Sequence, residues 1–375
     1  MPIFHPALES IKIKSVDFKN RVAVAPMSRV SANGDGAPTQ QMADYYQRYA
    51  QGGFSLLITE GTYTDRYYSQ AYPNQPGITN YHQQKGWEIS VDCVHQHNAK
   101  ILMQLMHAGA LSQHLSNTRA PSAIQPLRTM LPGYSVKQGQ YPSPQAMNLS
   151  EIDDVIEGFL KSAIRAEQAG FDGVEIHAAN GYLLDQFITD YTNYREDQYG
   201  GSLENRIRLS VEIIEAIKQN VSSDFLVGIR LSQGKVNDFD YLWSGGLDDG
   251  KIIFNAVANA GVDLIHFASE GMGFDHGCLT REGQSLPQQA RMLTHLPLIA
   301  NGGLDDPNEA KRILEEGHAD LISLAKGALV NPDWVLKLSN NCELVPFNND
   351  VFSEGVTIDA QYRWESEHHS EFESE

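Results

Sequence analysis

Three cysteines in 375 residues, at positions 93, 278 and 342, are too few and too scattered for a disulfide framework or for the clustered thiolates of an iron–sulfur or zinc site. Positive charge is also scarce: 28 Lys and Arg against 47 Asp and Glu leave a formal net charge of −19. With no basic cluster to offset it, that charge repels nucleic acid and anionic membrane surfaces, so neither is an expected partner. Although 41% of the residues are hydrophobic, no apolar run approaches the ~18 residues of a membrane span, and no basic-then-apolar signal segment opens the chain. The expectation is a soluble, cytoplasmic protein that works on small molecules. A G-x-G-x-x-G following a strand is missing as well, which argues against a separate dinucleotide-binding domain.

What the chain does have is regular alternation. Short apolar runs at 21–27, 55–60, 100–105, 172–177, 225–231, 263–268, 297–300 and 320–325 read as eight strands covered on both faces. Amphipathic stretches with clear punctuation separate them. Ser150 and Asp153 read as a capping box ahead of apolar positions 152, 155, 156, 159, 160 and 163, with Gly170 as the stop. Asp306 and Pro307 open another helix, which Gly317 closes. Repeated strand–helix units with short returns imply a single (β/α)8 TIM barrel over residues 1–340. Two connections are long: Leu111 to Leu149 after the third strand and Ser269 to His295 after the sixth. Both leave strand C-termini, the catalytic face of such a barrel, and are expected to shape a lid or pocket wall. Residues 341–375 end in WESEHHSEFESE and read as a solvated acidic tail. The competing reading is an arm whose Tyr362 and Trp364 pack on a neighbouring subunit of a homo-oligomer.

Polar residues stand where a barrel interior should be apolar. In 225–231 the period-two alternation puts Val227, Ile229 and Leu231 on one side and leaves Arg230 facing inward. A buried guanidinium needs an anionic or electron-rich partner. The same count turns Gln104, Glu175 and His177 inward, which suggests either a self-satisfied network, such as Glu175 with Arg230, or a bound polar ring system. After the seventh and eighth strands come Gly302-Gly303 and Ala325-Lys326, loops placed to hold a phosphate through backbone N–H groups. If the chain turns helically after the fourth strand, His177 and Asn180 share a face and offer two convergent donors to a carbonyl or nitro oxygen. Tyr182 close by, with an ordinary pKa of ~10, suits a general acid. His95 and His97 diverge on a helix and His368 and His369 lie in the tail, so no metal is assigned.

Taken together, these residues resemble the Old Yellow Enzyme family of FMN-dependent ene reductases, from Phe4 to Trp334. The resemblance is carried by KNRVAVAPMS ending at Ser28, TEG ending at Gly61, QLMHAG from Gln104, AGFDGVEIHAANGYLLDQF from Ala169, NYREDQYGGSLENR ending at Arg206, VGIRLS around Arg230, ANGG from Ala300 and AKGALVNPDW from Ala325. It implies that Ala25, Pro26, Met27 and Ser28 line the flavin edge and that Gly61 contacts the ring. It also implies that Gln104 bonds the pyrimidine side, that Arg230 stabilises reduced flavin, and that Gly302, Gly303, Ala325 and Lys326 cradle the phosphate. His177 and Asn180 would grip the activating oxygen of an enone or nitro substrate and Tyr182 would protonate it, in a ping-pong cycle with NADH or NADPH as reductant. Three positions depart from the pattern: Lys326 replaces the usual arginine, Ala110 replaces an arginine after His-Ala-Gly, and Ser28 replaces threonine or cysteine. Substrate choice is expected from the loops at 67–72, 111–149 and 269–295. Rival readings are amine or hydroxy-acid oxidation on the same scaffold, a flavin-free phosphate-binding aldolase or isomerase, and a non-catalytic flavin-binding redox protein.

Overall fold

A computed structural model describes residues 4–269, 271 and 273–368. The eight expected strands are all present: β1 (Val22–Val24), β2 (Leu56–Ile58), β3 (Lys100–Met106), β4 (Gly173–Asn180), β5 (Leu226–Lys235), β6 (Leu264–Phe267), β7 (Leu298–Asn301) and β8 (Leu321–Leu324). Each runs parallel to its neighbours, and closure comes from β8 pairing with β1 and β2 with β3. The result is a (β/α)8 TIM barrel.

Alternation along the strands separates two cores. Outward residues such as Val22, Ile101, Val174, Ile229, Ile265 and Ile322 pack under the helices. Inward residues Ala23, Leu56, Ile58, Leu102, Leu226, Leu264, Ile299 and Leu321 fill the lower barrel. That inner cluster is stoppered by an antiparallel hairpin, Ile11–Ile13 against Val16–Phe18, which places Ile13 and Phe18 against it. Burying an aromatic such as Phe18 contributes roughly 2 kcal/mol. The apolar filling therefore occupies only the lower barrel, and the polar residues stand above it.

Helix punctuation differs from the expectation in one place. The helix Leu149–Gln168 is capped by Asn148, whose side chain accepts from Glu151 N (3.0 Å) while Glu151 accepts from Asn148 N (2.9 Å). The capping box thus sits two residues earlier than Ser150 and Asp153, because Asn is as good an N-cap as Ser and Glu a longer reach-back group than Asp. Asp306 does cap Pro307–Glu315, through Asn308 N at 2.8 Å. The second long excursion is also less irregular than expected. Its last part is the ordinary connecting helix Leu286–Thr294, capped by Ser285 with Pro287 in the first turn.

The first excursion is pinned rather than loose. Arg195 donates to Met147 O (2.6 Å) and Pro121 O (3.1 Å). It thereby ties the 111–149 segment to the chain that follows β4.

The C-terminal segment is folded as far as residue 368 and corrects the solvated-tail reading. A helix at Ile358–Glu367 buries Ile358, Ala360, Gln361 and Trp364. Trp364 packs with Val330 and Val351, and Arg48 bonds Glu365 at 3.0 Å while its guanidinium lies over Tyr362. Both aromatic residues of the proposed arm are thus engaged within their own chain. Residues 369–375, which include His369, lie outside the described residues.

Candidate active site

The C-terminal ends of the strands open into a broad cleft. Thirteen of the fourteen residues singled out from sequence line it: Pro26, Met27, Ser28, Gly61, Gln104, His177, Asn180, Tyr182, Arg230, Gly302, Gly303, Ala325 and Lys326. Ala25 is the exception. It is buried just below, its N–H donating to Leu324 O at 2.9 Å, and it supports the wall rather than forming it.

Strand register explains the convergence. Gln104 lies opposite Glu175 across β3 and β4, and Arg230 lies opposite His177 on one side and His266 on the other. Register partners on parallel strands point the same way, so these side chains form a polar layer over the apolar filling. Gln104 Nε2 donates to Glu175 Oε1 (2.8 Å), and Glu175 Oε2 accepts from His266 Nδ1 (2.6 Å). The other imidazole nitrogen, Nε2, faces the Ser323 hydroxyl at 2.8 Å and Arg230 Nη1 at 3.1 Å. His266 thus stands between Glu175 and Arg230, the pair that sequence offers as one candidate for a self-satisfied network.

Electrostatics assign the protonation states. Burial and the charge of Arg230 push the His177 imidazole down to about 3, so it is neutral at physiological pH. His266 is lowered by the same two causes. Burial alone would raise Glu175, but His266 and Arg230 outweigh it and hold the carboxyl below the ordinary range. A neutral His266 donating to an ionised Glu175 satisfies both.

The catalytic stretch is shaped differently from the helical turn expected. The chain stays extended to Asn180, and the turn is made by Asn180 (φ +63°) and Gly181 (φ +84°). Asn tolerates the left-handed region better than most residues, and this break in the two-residue alternation brings Asn180 to the same cleft as His177. Asn180 N donates to Ser232 Oγ at 2.8 Å, and Gly181 N donates to Asp185 Oδ2 at 2.7 Å. Asp185 is itself held by Lys235, with Nζ 2.9 Å from both carboxylate oxygens and both side chains almost fully buried. The His177 and Tyr182 rings meet edge-on at 5.1 Å, and Tyr182 Oη lies 2.7 Å from Tyr72 Oη.

Several cleft residues are not singled out individually by sequence, although Tyr72, Leu131 and Tyr134 fall in the loops at 67–72 and 111–149 that are expected to choose the substrate. Tyr72, Leu131, Tyr134, Val236 and Phe239 wall the side near Tyr182, and Phe347 and Phe352 reach in from the C-terminal segment. His266 belongs to the set that sequence could have found, because Leu264 and His266 share a face by the same alternation that exposed Arg230. Glu60 is hidden one layer back. Its Oε2 accepts from the amides of Arg29 (2.8 Å) and Val30 (3.1 Å) and so holds Val30, a β-branched residue, at φ +41° two residues after Ser28.

Two features fit a flavin mononucleotide. His177 Nδ1 is buried with no hydrogen-bond partner among the described residues, which suits a site completed by a ligand. Gly302 (φ +120°) and Gly303 (φ +70°) end β7 in conformations that favour glycine. A Cβ on Gly303 would meet nothing within 4 Å, so its backbone borders open cleft. In strand order β7 and β8 lie across the barrel from β3 and β4. That separates the Gly-Gly and Lys326 end from the Gln104 and His177 end, as an elongated ring-plus-phosphate ligand requires.

A sequence model of the NADH:flavin oxidoreductase / NADH oxidase family matches residues 2–344. The chain belongs to that family. The Old Yellow Enzyme homologue from Zymomonas mobilis superposes with a TM-score of 0.82 at 29% identity, covering 93% of this chain and 95% of that one. Morphinone reductase in complex with tetrahydroNAD gives 0.79 at 28%, covering 90% and 91%. In sequence, the chain is 34% identical over 351 residues to 12-oxophytodienoate reductase 1 of Oryza sativa subsp. japonica, covering 92% of this chain and 89% of the rice protein. It is 31% identical over 338 residues to NADH oxidase of Thermoanaerobacter brockii, covering 87% of this chain but spanning only 49% of that longer protein. This Old Yellow Enzyme relative is thus an FMN oxidoreductase driven by a nicotinamide nucleotide. Among its described residues no helix is long and apolar enough to cross a membrane, and no cluster of three or more His, Cys, Asp or Glu is placed to hold a metal.

Proposed function

We propose that the chain is an ene reductase that reduces the activated C=C bond of α,β-unsaturated carbonyl or nitro compounds. The observation that carries this is a neutral His177 beside Asn180 and Tyr182 on one cleft wall, above a buried Arg230. Bound in the cleft, FMN supplies the two-electron relay between NADH or NADPH and the substrate. Pro26, Met27, Ser28, Gly61, Gln104 and Arg230 would hold its ring system, and Gly302, Gly303, Ala325 and Lys326 its phosphate.

The substrate's activating oxygen gains negative charge as the β-carbon is reduced. His177 and Asn180 each donate a hydrogen bond to that oxygen and are worth most when the charge has formed, which is what acceleration requires. A cationic imidazole would bind the ground state too. The neutral ring imposed by Arg230 and burial places the advantage in the transition state. Tyr182 then delivers a proton to the α-carbon. Tyr72, Leu131, Tyr134, Val236 and Phe239 exclude water and favour a flat, largely apolar acceptor.

The test is stopped-flow. The protein is reduced anaerobically with NADH or NADPH, and reoxidation by 2-cyclohexen-1-one is followed through the flavin absorbance. His177→Ala and Asn180→Ala are expected to slow that half-reaction by ~10²-fold each, in the range of a lost oxyanion donor, and to leave reduction by the nicotinamide much less affected. Reoxidation at the parental rate in both variants would remove the assignment.

A further inference from the structure

A phenol that gives up its proton leaves a charge on oxygen in a buried site, where an unpaired charge is expensive. The acid role of Tyr182 therefore calls for a partner that can hold that charge. Tyr182 is 6% exposed and its hydroxyl is 2.7 Å from that of Tyr72, which is 2% exposed. One of the two must donate. Were Tyr182 the donor, its proton would be committed to Tyr72 and withheld from the substrate.

We propose that Tyr72 is a positioning residue that donates its O–H to the Tyr182 oxygen, aiming the Tyr182 proton at the cleft and holding the charge left when that proton departs. The proposal rests on Tyr182 being the general acid. Tyr72 is built for the part. Its carbonyl accepts from Gln70 Nε2 (2.9 Å) and Gln75 N (3.3 Å), which fixes the irregular segment that carries it. Its ring lies 4.8 Å from Tyr134, tilted by 30°, in a cluster with Met106, Leu111, Tyr141 and Val236. Burial, with Tyr182 next in order, raises the Tyr72 hydroxyl well above the ordinary range, so it stays protonated and remains a donor.

The step balances simply. A C–H bond forms at the α-carbon from the enolate electron pair as the Tyr182 O–H bond breaks, the two electrons that reduced the β-carbon having come from NADH or NADPH. Tyr72 keeps its own proton, and a proton from water restores Tyr182.

The experiment compares Tyr72→Phe, Tyr182→Phe and the double variant in the flavin-loaded enzyme, with two acceptors. Cyclohexenone requires a proton at carbon. Ferricyanide takes electrons without one and reports whether the flavin site is intact. With cyclohexenone, Tyr182→Phe is expected to slow reoxidation by ~10²-fold or more and Tyr72→Phe by ~10-fold, the scale of a lost hydrogen bond to a charged group. The double variant should be no slower than Tyr182→Phe alone, since Tyr72 acts only through Tyr182. Ferricyanide rates should hold within about twofold throughout. If Tyr182→Phe is as fast as the parent, the acid reading itself fails. If Tyr182→Phe is slow but Tyr72→Phe is not, if the two losses multiply, or if Tyr72→Phe slows ferricyanide as much as cyclohexenone, the acid reading stands and the role given to Tyr72 is wrong.

Discussion

Replacing Glu60 by Gln should stabilise the protein at alkaline pH and leave it unchanged or weaker at acid pH. Glu60 is buried, and burial outweighs the two amide hydrogen bonds from Arg29 and Val30, raising its pKa to about 7. In the unfolded chain the group titrates at an ordinary ~4.3. Between those values the folded state holds a proton that the unfolded state has lost, so stability falls as pH rises through the window. The full gap corresponds to about 4 kcal/mol, fully present below pH ~4.3 and gone above pH 7. Gln keeps a carbonyl for the two amides but has no charge to desolvate. Urea unfolding of parent and variant at pH 4.5, 6, 7 and 8 isolates the effect, because every other titrating group cancels in the difference. The expected difference shifts in favour of the variant by about 3 kcal/mol across the series, most of it between pH 5 and 7. A difference that does not vary with pH would refute the burial argument. A variant less stable at every pH would instead mean that the carboxylate, as a charged acceptor, is what holds Val30 in its left-handed conformation.

Three further outcomes follow from the same geometry. Lys235→Met strands the buried Asp185 carboxylate that anchors Gly181. It should cost about 3–5 kcal/mol in chemical denaturation, less below pH 5, and Lys235→Met with Asp185→Asn should recover part of it; a loss under ~1 kcal/mol would contradict the burial of the pair. Arg230→Met should lower the flavin midpoint potential by ~30–65 mV, the two-electron equivalent of one hydrogen bond to a charged group, and an unchanged potential in a dye-coupled titration would separate Arg230 from the flavin. A chain ended after Leu344 loses Phe347 and Phe352 from the cleft and Trp364 from the packing around Val330. It should bind FMN at least ~10-fold more weakly by fluorescence titration, the scale of one lost well-packed contact, whereas parental affinity would show the segment to be separable from the site.

Legibility in the sequence depends on whether a residue sits on a periodic element. Strands buried on both faces announce themselves as apolar runs, and all eight barrel strands do so. A polar residue that interrupts such a run must point inward, and that rule alone turns Gln104, Glu175, His177 and Arg230 into the barrel. His266 obeys the same rule on β6, and the hairpin at Ile11–Phe18 shows its own alternation in IKIKSVDF. Tyr72, Tyr134, Phe347 and Phe352 carry no such signal. They lie outside the barrel strands, in segments whose path is set by long-range contacts, such as the Arg195 ties to Pro121 and Met147. The C-terminal helix is masked by composition. Its acidic residues suggest solvation, yet Ile358, Gln361 and Trp364 recur every three residues and all are buried.

Placed under the flavin, as proposed above, Arg230 needs a partner that makes its burial tolerable, and the polar layer contains one. With His177 and His266 neutral, the buried charges are Glu175 and Arg230, and they cancel. Cancellation lowers the desolvation cost of each, but it does not make the cleft electrically neutral. Glu175 is in register with Gly228, two residues below Arg230, so the two backbone positions are offset by ~6.6 Å along the strand direction, with Arg230 nearer the mouth. Negative charge arriving at the mouth meets Arg230 first and Glu175 at a distance, and at an effective dielectric of ~20 that offset is worth on the order of 1–2 kcal/mol. His266, bonded to both, keeps the dipole in place without adding charge of its own. A lone arginine would attract the same anion more strongly but would be harder to bury. The pair gives up some of that attraction and, with the flavin placed above Arg230 as proposed, would give a site that is stable before reduction and favourable after it.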